Sequence, residues 1–333
     1  LVWPPPFAPT KTYSPRATAT MSLQSSNSAH SNPLSLSCIG AGRTGSSLCN
    51  LLAKHVTIKQ IINRSASSAE YAVKFIGAGD PIALNDTGYQ KFQPANLWMI
   101  ATPDDHIEEA MQLLVDSDVL QADNIVLHCS GAISSKVLSR LNVGGVHVAS
   151  IHPIHSFANP ENSIANLKNV PFAIEGDAEA TDLLNHLCIA IGGQPFAINS
   201  ASKSLYHAAT VMACNNLVSL LEISMGMLVQ AGVDVKHRGN PLDLLIQQTI
   251  TNYLSSGAQK ALTGPVSRGD VDTVASHLLA LQSTPDGWQD AYRGLSKMAV
   301  NISAKQGQAS PEQLQDIRQL LNIDTNNQTG DNT

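Results

Sequence analysis

The sequence predicts an α/β protein with a doubly wound, mostly parallel sheet, followed by an all-helical C-terminal domain. Between residues 34 and 199, short runs rich in Ile and Val alternate with helix-length segments, as in repeated βαβ units. After residue 200 the strand signals stop, and helical periodicity continues to about residue 321. The 333 residues are enough for two cores, because single cores stop growing at roughly 250 to 300 residues.

The predicted strands are continuous apolar runs, which is typical of parallel strands that are buried on both faces. Five of them alternate with helices, and two more flank a helical segment at 178–191 and extend the sheet. In chain order the seven runs are 34–39, 58–62, 97–101, 125–128, 147–150, 171–174 and 194–197. The helical domain is predicted to open with one long helix, 202–231, and to close with a helix that Ser310 caps and Pro311 begins.

Two polar ends frame these domains. Residues 1–33 are rich in Ser, Thr and Asn and contain no acidic residue, so they are predicted to be a disordered leader. The absence of acids also fits an organelle transit peptide, and Met21 offers an alternative start. Residues 324–333 are predicted to be a disordered tail. The predicted domains are therefore an α/β domain at 34–199 and a helical domain at 200–323.

Composition restricts the partners of the chain. The net charge is -6 and the Lys and Arg residues are scattered, which argues against nucleic acid and favours a small-molecule substrate. The most apolar segment, 208–233, is interrupted by Asn215, Asn216 and Glu222, so we expect no membrane partner. The five cysteines form no C-x-x-C pair, which predicts reduced thiols and a cytoplasmic location.

A G-x-G-x-x-G motif follows the first predicted strand directly and leads into a helix at 46–54. The first glycine allows a tight turn, the second lets the backbone approach a pyrophosphate, and the third lets helix and strand pack closely. This context predicts a Rossmann dinucleotide site with the pyrophosphate at the helix N-terminus. An ordinary glycine-rich turn is the alternative. The motif residues expected at the cofactor are Gly40, Gly42, Arg43, Thr44 and Gly45.

The second predicted strand ends in Asn63-Arg64-Ser65, where an NAD enzyme places an acid on the ribose 2′-hydroxyl. No acid is present here. A guanidinium and a hydroxyl suit a 2′-phosphate, which a carboxylate would repel. The sequence therefore favours NADP over NAD, with Asn63, Arg64 and Ser65 as binding residues. The alternative is that Arg64 is a solvated loop charge.

Two further loops are expected at the cofactor, because ligands bind at the carboxyl ends of parallel strands. Thr102 and Pro103 follow the third predicted strand, and Ser130 and Gly131 follow the fourth. The adjacent pair Asp104-Asp105 is predicted to cap the next helix rather than to act in catalysis.

The chain resembles the Rossmann-like proteins that carry an all-helical C-terminal domain of unassigned function. These are relatives of ketopantoate reductase, pyrroline-5-carboxylate reductase and the β-hydroxyacid dehydrogenases. The resemblance implies an NADP-linked reductase or dehydrogenase, with a substrate pocket between the domains and dimerisation through the helices. The stretches that carry it are the glycine motif, 128–132, 149–153, 203–208 and 261–270.

The opening of the long helix offers catalytic candidates. Lys203 and His207 are four residues apart and share a helix face, with Tyr206 adjacent and Asn215 farther along. In the β-hydroxyacid dehydrogenases the comparable helix carries a catalytic Lys with an Asn four residues later; Lys203 matches that Lys, and His207 replaces the Asn. We predict Lys203, His207 and His152 as catalytic residues, and Tyr206 and Asn215 as substrate residues. The alternatives are a solvated Lys203 and a structural His207.

Two other patterns suggest ligand binding: a pair of histidines and a turn that carries an arginine. His152 and His155 form an H-x-x-H pair near His147, but Pro153 prevents a regular helix there and no Cys or acid completes a ligand set, so no metal is expected. Thr263 and Arg268 are predicted to bind a substrate carboxylate, which Arg grips with two hydrogen bonds. An ordinary interhelical turn, with Asp270 capping the next helix, is the alternative.

Two functions fit these predictions. The first is an NADP-dependent oxidoreductase that transfers a hydride between NADPH and a small carbonyl or imine acid. The second is a non-catalytic NADP-binding module or sensor that forms a homodimer through its helical domain. We expect a homodimer in either case.

Overall fold

A computed structural model describes residues 33–87, 91–155, 157, 160–234, 241–285 and 287–322. The predicted tail at 324–333 lies outside these residues, as does the predicted leader except for residue 33. The described chain forms two compact units, with the boundary after Asn215.

The first unit contains an eight-stranded sheet, within the described residues, of order β3-β2-β1-β4-β5-β6-β7-β8. All neighbouring strands are parallel except β6 and β7. The predicted doubly wound, mostly parallel α/β fold is confirmed. The strands are β1 Ser35–Ile39, β2 Thr57–Asn63, β3 Asp80–Ala83, β4 Leu97–Ile100, β5 Ile125–His128, β6 His147–Pro153, β7 Pro171–Gly176 and β8 Gln194–Ala197.

Strand β3 is the one strand of the sheet that the sequence did not predict. It has only four residues, includes Pro81, and lies at the sheet edge with its first two residues exposed. A strand that buries so little carries no apolar run, and a Pro within a run argues against a strand in a pattern analysis.

Helices cover both faces of the sheet. Successive residues of one strand enter different cores, because side chains alternate across a strand: Leu97 joins one apolar cluster and Trp98 joins the other. The α-helices of this unit are Arg43–Leu52, Ala66–Ile76, Leu84–Thr87, Ile107–Asp116, Pro160–Ala165, Ala178–Ala190 and Lys203–Ala213; the 3₁₀ segments are Asp104–His106, Ser135–Gly144 and Ser200–Ser202.

The predicted helix at 202–231 is divided at Cys214 into Lys203–Ala213 and Asn215–Gln230. The compact unit that holds the sheet extends through Asn215, whereas the sequence placed the division between residues 199 and 200. Lys203–Ala213 therefore belongs structurally with the sheet, which brings Lys203, Tyr206 and His207 into the same unit as the glycine motif.

The second unit is helical, as predicted. Its core includes Val274, Val300 and Ile317. Ser310 caps the last helix, since its Oγ accepts a hydrogen bond from the backbone of Gln313 at 3.2 Å. The helices are Asn215–Gln230, Asp243–Ser256, Ala258–Ala261, Pro265–Arg268, Val271–Ala280, Trp288–Gln306 and Pro311–Asn322, with a 3₁₀ turn at Leu281–Ser283.

One helical stretch of the described chain, Ser200–Gln230, is long and apolar enough to cross a membrane by length and composition. The polar residues Asn215, Asn216 and Glu222 were expected to exclude such a stretch. Val218 is 65% exposed on the helix Asn215–Gln230, and Leu245 is 60% exposed on the helix Asp243–Ser256. Neither of these two helices contains a buried residue. Exposed apolar faces of this kind mark interaction surfaces.

Candidate cofactor and active site

The glycine turn after β1 is shaped by close backbone packing. Gly40 has a φ of +84°, and a Cβ atom there would lie 2.6 Å from Cγ2 of Thr102. A Cβ atom at Gly45 would lie 2.8 Å from that of Ala101. Both positions therefore require glycine, for the tight turn and for helix-strand packing as the motif predicted.

The turn presents an uncapped helix N-terminus. The helix Arg43–Leu52 begins after Gly42, which has no side chain to bond the first-turn N–H groups. Those groups have no acceptor within the helix, and together with the helix dipole they favour an anion. Arg43 and Thr44, both predicted cofactor residues, are the first two residues of this turn.

The predicted 2′-phosphate residues after β2 play different structural roles. The Asn63 side chain is buried; its Oδ1 accepts from the backbone N–H of Ala41 at 2.8 Å, and its Nδ2 donates to the carbonyl of Ser68 at 2.9 Å. Ser65 caps the helix Ala66–Ile76. Arg64 is exposed between them. Asn63 thus stabilises the glycine turn by a hydrogen bond. Among Asn63, Arg64 and Ser65, Arg64 alone has a charged side chain, and it is exposed.

The loops after β4 and β5 are joined by Ser130. Its Oγ donates to Oδ2 of Asp104 at 2.9 Å and accepts from the backbone N–H groups of Ala132 and Ile133. Asp104 was predicted to be a helix cap; instead it bonds this loop, and the helix Ile107–Asp116 begins without a side-chain cap. Ser130 therefore fixes the loop shape.

The hydroxyl of Thr102, unlike that of Ser130, makes no hydrogen bond within the described residues. Its oxygen is buried, and a buried hydroxyl normally has a partner. Thr102 lies against the glycine turn, beside the exposed Pro103. An unpaired buried hydroxyl next to an uncapped turn indicates a place for a polar ligand.

Lys203 lies in a buried polar network that the sequence analysis did not find. Its Nζ donates to Oε1 of Glu175 at 3.2 Å and to Oγ of Ser150. The two charged side chains are each only 2% exposed. Glu175 also accepts at Oε1 from the Ser135 backbone N–H at 2.8 Å and from Ser150 Oγ at 2.5 Å, and at Oε2 from the hydroxyls of Ser135 and Ser200 at 2.7 and 2.5 Å. The alternative of a solvated Lys203 is therefore wrong.

Hydrogen bonds decide the charge state of this network. Burial raises the pKa of Glu175, but the bonds from Ser150, Ser200 and Ser135 outweigh it and lower that pKa to about 2. Burial lowers the pKa of Lys203, and Glu175 opposes this shift. Glu175 is therefore a carboxylate at neutral pH, because its donors replace the water that it lost.

Four predicted site residues meet beside this network. The Oη of Tyr206 and Nδ1 of His152 are 2.7 Å apart, and the rings of His152 and His207 cross edge-to-face with centroids 5.9 Å apart. A Cβ atom at Gly131 would lie 2.6 Å from Cδ2 of His207 and 2.8 Å from Nε2 of His152. Both imidazole rings therefore pack against the backbone of Gly131, where a side chain would clash with them.

The protonation states of the Tyr206–His152 pair follow from burial. Burial, with the charges of His207 and Lys203, lowers the pKa of His152 to about 4. Burial raises the pKa of Tyr206 to about 12. At neutral pH the imidazole is neutral and the phenol is protonated, so the 2.7 Å hydrogen bond is donated either by the Tyr206 hydroxyl or by the Nδ1–H tautomer of His152.

The buried ion-pair network and the histidine pair are linked by the spacing of their residues along β6 and along the helix Lys203–Ala213. Ser150 and His152 are two residues apart on β6 and lie on one face, while Lys203 and His207 are one helical turn apart. Lys203 contacts Ser150, and the His207 ring packs against that of His152. The buried ion pair therefore fixes where the helix Lys203–Ala213 lies along β6.

The remaining predicted residues lie elsewhere in the chain. Asn215 begins the helix Asn215–Gln230, and Thr263 and Arg268 belong to a turn and short helix of the second unit. Asp270 caps the helix Val271–Ala280 by accepting from the Thr273 N–H at 3.1 Å, as the alternative for that turn predicted. No group of three potential metal ligands occurs among the residues that the structure describes.

One signal could have pointed to the missed network. Glu175 is a charge inside the otherwise apolar strand at 171–176. A charge in a buried strand needs a partner, because an unpaired one is costly. The sequence alone does not say which of the distant Lys, Arg or Ser residues supplies it.

Two stretches of the chain match known protein families. Residues 21–153 match the Rossmann-like domain, and residues 170–299 match a domain of unknown function, DUF2520. No curated protein sequence shows significant similarity to the chain.

Solved structures with the same fold include one from Thermotoga maritima, which has 24% sequence identity and a TM-score of 0.64 and covers 81% of this chain and 98% of its own. An imine reductase from Myxococcus stipitatus in complex with NADP+ has 18% identity, a TM-score of 0.60 and coverages of 85% and 99%. A reductive aminase from Aspergillus terreus in complex with NADPH and ethyl-5-oxohexanoate has 16% identity, a TM-score of 0.54 and coverages of 87% and 92%. At these identities the likeness establishes the fold. The chain thus matches a Rossmann-like domain followed by a DUF2520 region, in agreement with the resemblance that its motifs predicted.

Proposed function

We propose that this protein is an NADP-dependent reductase that transfers a hydride between NADPH and a small carbonyl or imine acid. One observation carries the proposal: the glycine turn and the Tyr206–His152 pair belong to the same sheet edge. Gly40 follows β1, Thr102 follows β4, Gly131 follows β5 and His152 is near the end of β6, and these strands are consecutive neighbours. The site lies where the strand order reverses, which is where open α/β sheets bind ligands.

The residues present fit NADP. The uncapped first turn of Arg43–Leu52 suits a pyrophosphate, the unpaired Oγ1 of Thr102 offers a polar contact beside it, and Arg64 offers its charge to a 2′-phosphate. Bound NADPH would supply the hydride. The NADP-bound reductases of the same fold add support for this cofactor.

The chain itself would supply the proton. Reduction of a C=O or C=N bond leaves a basic oxygen or nitrogen, which needs a nearby donor. Tyr206 is protonated at neutral pH. In the Nδ1–H tautomer of His152 the imidazole donates to Oη of Tyr206, which holds the phenol in place and leaves the phenol's own proton for the substrate. His207 is the second proposed donor, since its ring packs against Gly131 beside His152.

We assign Lys203 a positioning role rather than the predicted catalytic one. Its ammonium group is buried and bonded to Glu175 and Ser150, so it would have to leave a carboxylate to reach a substrate. Asn215, Thr263 and Arg268 remain proposed substrate residues. The sensor alternative is favoured by the same observation, because the ammonium group of Lys203 is already bonded within the protein. Measuring whether the protein oxidises NADPH in the presence of a substrate distinguishes the two functions.

The purified full-length chain can be tested with a panel of 2-oxo acids and cyclic imines, by following NADPH absorbance. The proposal expects NADPH oxidation that matches product formed. If calorimetry shows NADPH binding but no compound in the panel is reduced, the sensor function replaces the enzyme. If neither NADPH nor NADH binds, the cofactor assignment is wrong.

We further propose a cytoplasmic homodimer that covers the exposed apolar faces of Asn215–Gln230 and Asp243–Ser256. The resemblance implies dimerisation through the helices of the C-terminal domain, to which these two belong. A partner copy carries the same apolar surface, so a two-fold contact would bury both.

A further inference from the structure

We infer that a cleft in the helical unit binds a small polyanion, a molecule with two or more carboxylate or phosphate groups. The cleft has a volume of about 560 Å³, within the range of small-molecule sites. It is built by the segment that carries Thr263 and Arg268 together with the end of the helix Trp288–Gln306. The proposed reduction needs a single carboxylate contact at Arg268, and this inference goes beyond it.

The charge of the cleft points to the ligand. Lys260, Arg268 and Lys305 line it, all three are exposed, and no acidic residue is among the lining residues. Within the described residues none of the three forms an ion pair. In a chain of net charge -6, three converging cations repel one another, and an anion between them would relieve that repulsion.

The frame of the cleft is fixed by hydrogen bonds. The Gln306 side chain donates to the carbonyls of Gln259 and Leu262 at 2.5 and 2.9 Å, and accepts from Oγ of the buried Ser267 at 2.9 Å. These bonds join the short helices Ala258–Ala261 and Pro265–Arg268 to Trp288–Gln306, the three elements that carry the cations. The cations are therefore held on fixed backbones before any ligand arrives, which lowers the entropic cost of binding.

A structural explanation competes with this one. Each of the three cations lies in the last turn of its helix, where a positive charge stabilises the helix dipole. That explains each cation separately, but it does not explain why three of them share one concave surface with no carboxylate among its lining residues. Arg268 interacts electrostatically with Asp270, which does not line the cleft. The dipole explanation expects each substitution to lower stability without any effect on anion binding.

Calorimetry on the full-length protein tests the inference with citrate and with pyrophosphate as probes, at constant ionic strength and with NADP+ present so that the glycine turn is filled. We expect saturable binding at one site per chain. Arg268→Met and Lys260→Met should each weaken it about tenfold, the loss of one charge-assisted contact. Lys297→Met is the matched control, because Lys297 is exposed on the same helix as Lys305 but does not line the cleft.

The two probes distinguish the chemical class of the ligand. Binding of citrate alone indicates a polycarboxylate ligand, and binding of pyrophosphate alone indicates a phosphorylated one. No saturable heat with either probe, or equal weakening by Lys297→Met, overturns the inference. Weakened NADPH binding in Arg64→Ala with citrate binding intact would separate this cleft from the proposed cofactor site, so the two proposals can fail independently.

Discussion

At the scale of single residues, cofactor choice depends on Arg64. Its two neighbours are engaged in the backbone of the turn and in a helix cap, so the exposed guanidinium is the group that can meet a 2′-phosphate. We predict that Arg64→Ala weakens NADPH binding by roughly ten- to a hundredfold, the value of a charge-assisted hydrogen bond, and leaves NADH binding unchanged. Calorimetry with both nucleotides measures this.

The control for that experiment is Arg140→Ala, which removes an exposed arginine of the 3₁₀ segment Ser135–Gly144. It should leave both affinities unchanged. Equal binding of NADPH and NADH by the unmodified chain would show that no residue of this loop reads the 2′-phosphate.

The proton donor is also a question of one residue. If Tyr206 donates the proton, Tyr206→Phe should lower kcat by about a hundredfold or more, the usual contribution of a positioned acid, with NADPH affinity unchanged. The kcat of the unmodified enzyme should then be flat around neutral pH, because His152 titrates near 4 and Tyr206 near 12. A Tyr206→Phe variant that keeps its kcat, together with a His207→Ala variant that loses it, would point to His207 as the donor.

At the scale of elements, the buried ion pair decides where the helix Lys203–Ala213 lies. Removing one partner leaves an uncompensated buried charge, so Glu175→Gln and Lys203→Met should each lower the free energy of unfolding by about 3–5 kcal/mol. The double variant should lose less than the sum of the two, since it leaves no lone charge. Urea unfolding measures all three, and additive losses would contradict the coupling.

The same pair predicts a pH dependence. The pKa of Glu175 is lowered from its ordinary 4.5 to about 2 in the folded chain, so the unfolded chain takes up its proton first. The stabilisation from its hydrogen bonds is complete above pH 4.5 and is lost as the pH falls toward 2. Urea midpoints measured down this range should fall more steeply in the unmodified chain than in Glu175→Gln, whose amide does not titrate.

The sequence predicted what short segments encode. The glycine motif, the cap at Ser310 and seven of the eight described strands depend on neighbouring residues, and each was found where it was expected. The Glu175 network could not be predicted, because it joins residues as far apart as 135 and 203 through the antiparallel return of β7. The break of the long helix at Cys214 was also missed, since neither Gly nor Pro marks it.

At the scale of the whole molecule, the exposed apolar helices require an explanation. The helical stretch from residue 200 to 230 is long and apolar enough for a membrane. It is divided at Cys214, and its first part, Lys203–Ala213, is held against the sheet by the buried ion pair of Lys203 and Glu175. A segment fixed in this way to a folded domain is better suited to cover a second copy of the chain than to enter lipid. We therefore expect a dimer in solution without detergent.

Light scattering coupled to size exclusion tests this expectation. Val218→Lys and Leu254→Lys place charges on the two helices that have no buried residue, and they should shift the protein from dimer to monomer because a buried unpaired charge is costly. Leu279→Lys is the matched control: Leu279 is 68% exposed, but its helix already packs into the core of the second unit, so the dimer should persist. A monomeric unmodified chain that binds lipid vesicles would instead show that these faces meet a membrane.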